Sequence, residues 1–140
     1  MRFTKILLPV DGSEHSGKAA ACAVELVKAM DAQLVLLNVY GHVASLLMGE
    51  GRKAVLDELR AAGEKALEPA RALCAEHGVA FSEKMVEGEP GGSIADVAKA
   101  EGCDCIVMGS RGLTDTEGLV LGSTAHKVLH MVDIPVLVVR

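Results

Sequence analysis

Residues 5–13 read Lys5-Ile6-Leu7-Leu8-Pro9-Val10-Asp11-Gly12-Ser13. From Lys5 to Val10 the apolar side chains are nearly continuous. That pattern predicts a strand covered on both faces of a parallel sheet. Asp11-Gly12-Ser13 breaks the run, and Ser13 is placed to cap a following helix. Ala20, Ala23, Val24, Val27 and Met30 then recur at helical spacing, so the first helix runs to about Met30. Gln33 to Tyr40 is a second buried strand, with Leu34, Val35, Leu36, Leu37 and Val39.

The same alternation continues to the end of the chain. Gly41 to Gly51 reads as a loop with Val43, Leu46, Leu47 and Met48, which fits a flap, a partner surface or one turn of packed helix equally well. Lys53 to Glu76 carries the apolar spacing of a long second helix; Pro69 should kink or divide it and Gly78 should stop it. Val79 to Val86 is a more polar third strand, placed towards one edge. Gly88-Glu89-Pro90-Gly91-Gly92 reads as a turn, and Ser93 with Asp96 as a capping box that opens a short helix. Cys103 to Met108 is a fourth strand. A glycine-rich loop from Gly109 to Gly122 leads into a last helix marked by Ala125, Val128, Leu129 and Val132. Pro135 to Val139 closes the chain as a fifth strand.

This order, βαβαβαβαβ over residues 1–140, predicts one doubly wound α/β domain: a five-stranded parallel sheet with helices on both faces. Right-handed crossovers place every strand-to-helix loop at one edge of the sheet, where such folds bind ligands. Composition narrows the partners. Half of the 140 residues are hydrophobic, only 2% are aromatic, and the net charge is −5. Few stacking platforms and no basic excess argue against nucleic acid. No stretch approaches the ~18 apolar residues of a membrane span. The first apolar run is too short for a signal peptide, so the expected compartment is the cytoplasm. There Cys22, Cys74, Cys103 and Cys105 should be thiols. Cys103 and Cys105 lie two apart on a strand and should share a face. Buried thiols, with His126 and His130 on the surface, are expected rather than a zinc site. His15 and His42 lie in ligand-edge loops and are expected to be exposed. No local spacing suggests a nucleophile–base pair, and neither a P-loop nor a Gly-x-Gly-x-x-Gly turn is present.

Two loops at the ligand edge stand out: Pro9 to Ser13, and Gly109-Ser110-Arg111-Gly112 continuing to Gly122-Ser123-Thr124. Gly109 and Gly112 let backbone approach a ligand closely. Gly122-Ser123-Thr124 opens a helix whose free N–H groups and positive dipole end favour phosphate. Arg111 could add charge. The spacing Gly109-x2-Gly112-x9-Gly122-Ser123 resembles the ATP-binding signature of the universal stress protein family. Ile6 to Ser13 resembles that family's opening strand and loop, Gly88-Glu89-Pro90 its third-strand turn, and Ile134 to Val139 its closing strand.

The resemblance spans the chain and implies a strand order of 3-2-1-4-5 and an ATP ligand with Mg²⁺. By the same likeness Pro9, Val10 and Asp11 line the adenosine side and Val39 flanks the adenine. Met108 and Gly109 border the base and sugar, while Gly112, Gly122, Ser123 and Thr124 surround the phosphates. It further implies a homodimer paired through Val136–Val139, an apolar edge that otherwise stands uncovered. Two departures weaken the match. Ala125 stands where the family often has a hydroxyl, and Asp115 and Glu117 bring negative charge near the phosphates. The implied function is an ATP-binding stress-response or regulatory module. Slow ATP hydrolysis or nucleotidyl transfer, or a ligand-free interaction module, are the alternatives; no evident base or dedicated lysine serves the enzyme reading.

Overall fold

The computed structural model describes residues 2–42, 49–113 and 120–140. The elements run β1 (Lys5–Pro9), α1 (Glu14–Met30), β2 (Gln33–Gly41), α2 (Glu50–Glu76), β3 (Phe81–Gly88), α3 (Pro90–Ala100), β4 (Cys105–Gly109), α4 (Ser123–Met131) and β5 (Val136–Val139). All pairings are parallel and the sheet order is β3-β2-β1-β4-β5. The expected architecture and strand order are those observed.

Alternation along the central strands builds two cores. Ile6 and Leu8 of β1, Leu34 and Leu36 of β2, and Cys105 and Val107 of β4 pack under α1 and α2, against Ala23, Val24, Leu67 and Cys74. Leu7, Val35, Leu37, Ile106 and Met108 face the other way, onto Ile94 and Val97 of α3 and Val128 of α4. Each strand is thus buried on both sides, which is why its sequence reads as a solid apolar run. The winding reverses between β1 and β4: the chain steps outward from β1 to β2 and β3, then returns to β4 and steps outward on the other side to β5.

Several local details differ from expectation, each for a physical reason. Pro69 lies within α2 without dividing it. Its ring and Lys65, whose carbonyl loses a partner, are on the exposed side of the helix, which faces solvent. The Gly88–Gly92 cluster is not all turn, and Ser93 is not a cap. α3 begins at Pro90, capped by Glu89, whose carboxylate accepts the N–H groups of Gly91 (3.0 Å) and Gly92 (2.7 Å). Position 91 is a glycine because α4 lies so close: a Cβ there would stand 2.9 Å from the Lys127 stem. β3 starts at Phe81 rather than Val79, and it forms an edge as expected. In the apolar Gly41–Gly51 segment, residues 43–48 lie outside the described residues; Gly41 ends β2 and Glu50 opens α2.

At the opposite end of the sheet, Asp104 staples β1 to the start of β4. Its carboxylate accepts from the Thr4 N–H (2.9 Å), the Lys5 N–H (3.1 Å) and the Thr4 hydroxyl (2.9 Å). Burial alone would raise its pKa, but these donors outweigh it and hold the carboxyl below the usual aspartate range.

Candidate functional site

A crevice of about 220 Å³ opens at the carboxyl ends of β1, β2 and β4. The β1 loop forms one wall and is pre-shaped. Asn38 is buried and donates from Nδ2 to the Val10 carbonyl (2.9 Å). Asp11 accepts from the Ser13 N–H (2.9 Å), while the buried Ser16 hydroxyl accepts from the Asp11 N–H (3.2 Å). Gly12 takes φ +86°, a conformation that favours glycine, and the position a Cβ would occupy is 3.4 Å from Ala66 of α2. Gly63 of α2 leaves room for Asn38 in the same way, since a Cβ there would collide with its Oδ1. Small residues of α2 thus brace the loop from behind.

The facing wall comes from β4, its loop and α4. Met108, Gly109, Ser110, Arg111, Gly112 and Leu113 line it, followed by Ser123, Thr124 and Ala125. The Ser110 carbonyl accepts the N–H of Gly122, closing the base of the loop, and the Ser110 N–H donates to Val139 (2.7 Å). Leu37, Val39, Pro90 and Ile94 make the apolar floor and flank. Asp115 and Glu117 lie outside the described residues.

Of the residues expected at the site, Pro9, Val10, Asp11, Val39, Met108, Gly109, Arg111, Gly112, Ser123 and Thr124 all line this one crevice. Gly122 is buried behind the wall as the N-cap of α4. Sequence reasoning missed Ser16 and Ile94, and named Ser13 and Ser110 only as members of the two loops. Ser16 was detectable in principle, as a small polar residue three positions after a cap on the buried side of an amphipathic helix.

The helix ends decide where negative charge is welcome. The N-terminus of α1 is capped by the Ser13 hydroxyl, which accepts from Ser16 (3.2 Å). That of α3 is filled by the Glu89 carboxylate, itself paired with Lys127 at 2.9 Å. Burial alone would raise the Glu89 pKa, but Gly92, Lys127 and Gly91 together hold it below the usual range. The N-cap of α4 is a glycine and supplies no side-chain cap. Beside it, Arg111 is the one cationic side chain among the described lining residues, and it donates to His15 through Nε (3.1 Å) and Nη2 (2.8 Å). His15, expected to be exposed, is half-buried.

The cysteines are free thiols. Cys103 and Cys105 do not share a face as expected. Cys103 precedes β4 and packs with the α3 and α4 core, whereas Cys105 packs with the α1 and α2 core. Burial pushes both thiols up to about 11, so neither is a thiolate at neutral pH. A second groove, about 530 Å³, lies at the opposite end of the sheet among Lys28, Asp31, His77 and Phe81. It is larger, but the carboxyl ends of α1 and α2 reach it, and these disfavour anions.

The chain that builds this crevice, with a glycine-capped helix start and an arginine beside it, matches the model of the universal stress protein family over residues 2–140. The chain belongs to the universal stress protein family. It is 38% identical over 148 residues to the universal stress protein YxiE of Bacillus subtilis, covering 99% of each chain. The universal stress protein UspA of Lactobacillus plantarum superposes with a TM-score of 0.89 at 27% identity, covering 100% of this chain and 99% of the other. A universal stress protein from Archaeoglobus fulgidus, solved in complex with dAMP, has the same fold, with a TM-score of 0.75 at 22% identity and 100% coverage of both chains.

Proposed function

We propose that this universal stress protein binds ATP, accompanied by Mg²⁺, in the crevice between β1 and β4 and acts as a homodimeric regulatory module of the cytoplasm. The observation that carries the proposal is the make-up of one crevice: at the carboxyl ends of the central strands it joins an apolar floor to the start of α4, whose N-cap is the glycine Gly122, with Ser123, Thr124 and Arg111 on its wall. A phosphate there would gain amide donors and the positive helix end together. The apolar surface of Val39, Met108 and Ile94 suits the flat faces of adenine, with Pro9, Val10 and Asp11 on the nucleoside side and Gly109 and Gly112 admitting close backbone approach. Gly122 contributes by placing the start of α4. At the level of fold, the dAMP complex of the Archaeoglobus protein supports an adenine nucleotide.

The homodimer would pair the β5 edges of two copies antiparallel. Binding of ATP would alter the Gly109–Gly122 loop and so the surface offered to partners.

The test is to denature the purified protein, identify released small molecules by mass spectrometry, and titrate Mg-ATP calorimetrically. Thr124→Asp separates binding from folding. A carboxylate in the first turn of α4 favours the helix end but repels phosphate. The dissociation constant should rise at least about tenfold while the melting temperature stays level or rises. No released nucleotide and no heat at millimolar Mg-ATP would remove the proposal. Release of ADP with sustained turnover would move it to the hydrolase reading.

A further inference from the structure

The contact between His15 and Arg111 joins residues 96 positions apart, from the first turn of α1 to the glycine-rich loop. A guanidinium has five N–H donors and no acceptor, so the His15 ring must receive. Two of those donors converge on Nε2. A neutral imidazole with its lone pair on Nε2 carries its proton on Nδ1. In His15 that atom is buried and has no partner among the described residues. A buried polar atom left this way calls for a reason.

The backbone enforces the meeting. A Cβ on Gly109 would stand 2.8 Å from the carbonyl carbon of His15, so only glycine lets the two elements come this close. Arg111, two residues further on, then lies within reach of the ring. The pairing uses two of the guanidinium's five N–H groups and leaves three, on a side chain that lines the crevice. An unheld arginine side chain samples many rotamers. Held at Nε and Nη2, this one keeps its charge at a fixed place on the wall.

We infer that His15 is a positioning residue: it holds Arg111 as the group that makes affinity grow with the phosphate charge of the ligand. The inference rests on the nucleotide reading of the crevice and deepens it. Positioning needs an acceptor at Nε2, not a charge on the ring, so glutamine should replace histidine and leucine should not.

Wild-type protein, His15→Leu and His15→Gln would be titrated with adenosine, AMP, ATP and inorganic tripolyphosphate, with melting curves to confirm folding. In the wild type, affinity should climb from adenosine to ATP. In His15→Leu, ATP and tripolyphosphate should each weaken about tenfold while adenosine moves less than about twofold. His15→Gln should recover most of the loss. Equal weakening of adenosine and ATP would mean a merely structural histidine and overturn the inference. Tighter ATP binding by His15→Leu would also overturn it, because the pair would then be sequestering Arg111. A wild type that binds adenosine and ATP alike sinks the inference and leaves the nucleotide reading standing. Binding of tripolyphosphate without any adenosine compound does the reverse, provided His15→Leu weakens it. A wild type that binds none of the four removes both.

Discussion

The sheet has two edges, and they are built on opposite principles. On β3, Glu83, Lys84 and Glu87 sit in a strand with four consecutive exposed residues. They are tied down by Arg71 to Glu83 (2.6 Å), Arg52 to Glu87 (2.6 Å) and Lys84 to Glu101 (3.5 Å). Along β5, by contrast, Val136, Leu137, Val138 and Val139 carry no charge, and Leu137 is 41% exposed. Charged edge residues must lose water before another strand can pair, whereas an apolar edge gains from being covered. The protein thus closes one side of its sheet to other chains and leaves the other open, which is why the proposed dimer is assigned to β5.

Proline scanning gives the largest expected effect. The Pro135 carbonyl accepts from Ile106 of β4 and the Val139 carbonyl from Ser110 just after it, so by strand alternation Val136 and Val138 turn their N–H groups outward. Val138→Pro therefore removes an outward donor and spares the β4 pairing. Light scattering should show wild-type particles at twice the 14.6 kDa of one chain and the variant at the single-chain mass, with dimer affinity down at least about a hundredfold. A wild type that is monomeric, or a variant that stays dimeric, breaks the contrast between the edges.

Acid offers a second, intermediate test. Glu89, which directly follows β3, and Asp104, ahead of β4, both have folded-state pKa values held below the ordinary range. A depressed carboxyl contributes stability that is full above its unfolded pKa, ~4, and disappears as pH falls through the lower folded value. The melting temperature should stay flat from neutrality to about pH 5 and drop below about pH 4. Glu89→Gln should cost ~1 kcal/mol at pH 7, as lost caps do, and should flatten part of that acid drop. In acid-pulsed hydrogen exchange the β3–α3 junction should open before β5, which has no carboxylate of its own. Simultaneous opening would show that the edges are not independent.

The smallest effect is expected at Arg71. It bridges Glu64 of α2 and Glu83 of β3, and those hydrogen bonds hold its proton more firmly than usual. Arg71→Met should lower stability by only ~0.5 kcal/mol in chemical denaturation, since exposed pairs contribute little. Together with Glu83→Val and Lys84→Val, it should make β3 self-associate at high concentration. Particle size unchanged across that series would mean that the charges do not guard the edge.

How far the molecule was legible in its sequence follows from where burial is two-sided. β1, β2 and β4 announced themselves because water touches neither face, and α1 because Ser13 and the alanine stripe agree. The start of α3 was hidden. Gly-Glu-Pro-Gly-Gly is turn chemistry by composition, and neither the cap that the Glu89 carboxylate gives Gly91 and Gly92 nor the nearness of Lys127 that excludes a Cβ at Gly91 shows in it. Most of the crevice was readable because its residues follow strand ends. His15 with Arg111 was not, since a contact across 96 positions leaves no trace in local spacing. The split of Cys103 from Cys105 was missed because β4 begins only at the second of them.

Tyr40 is the single tyrosine in a chain without tryptophan. It sits on β2 directly after Val39 of the crevice, its hydroxyl accepting from Arg60 at 2.8 Å and the same guanidinium lying 5.5 Å from its ring. Its near-ultraviolet emission is therefore a private signal, uncontaminated by any brighter fluorophore and quenchable by small movements of one cation. The molecule comes with its own optical gauge for events at the β2 terminus, and no label has to be attached to use it.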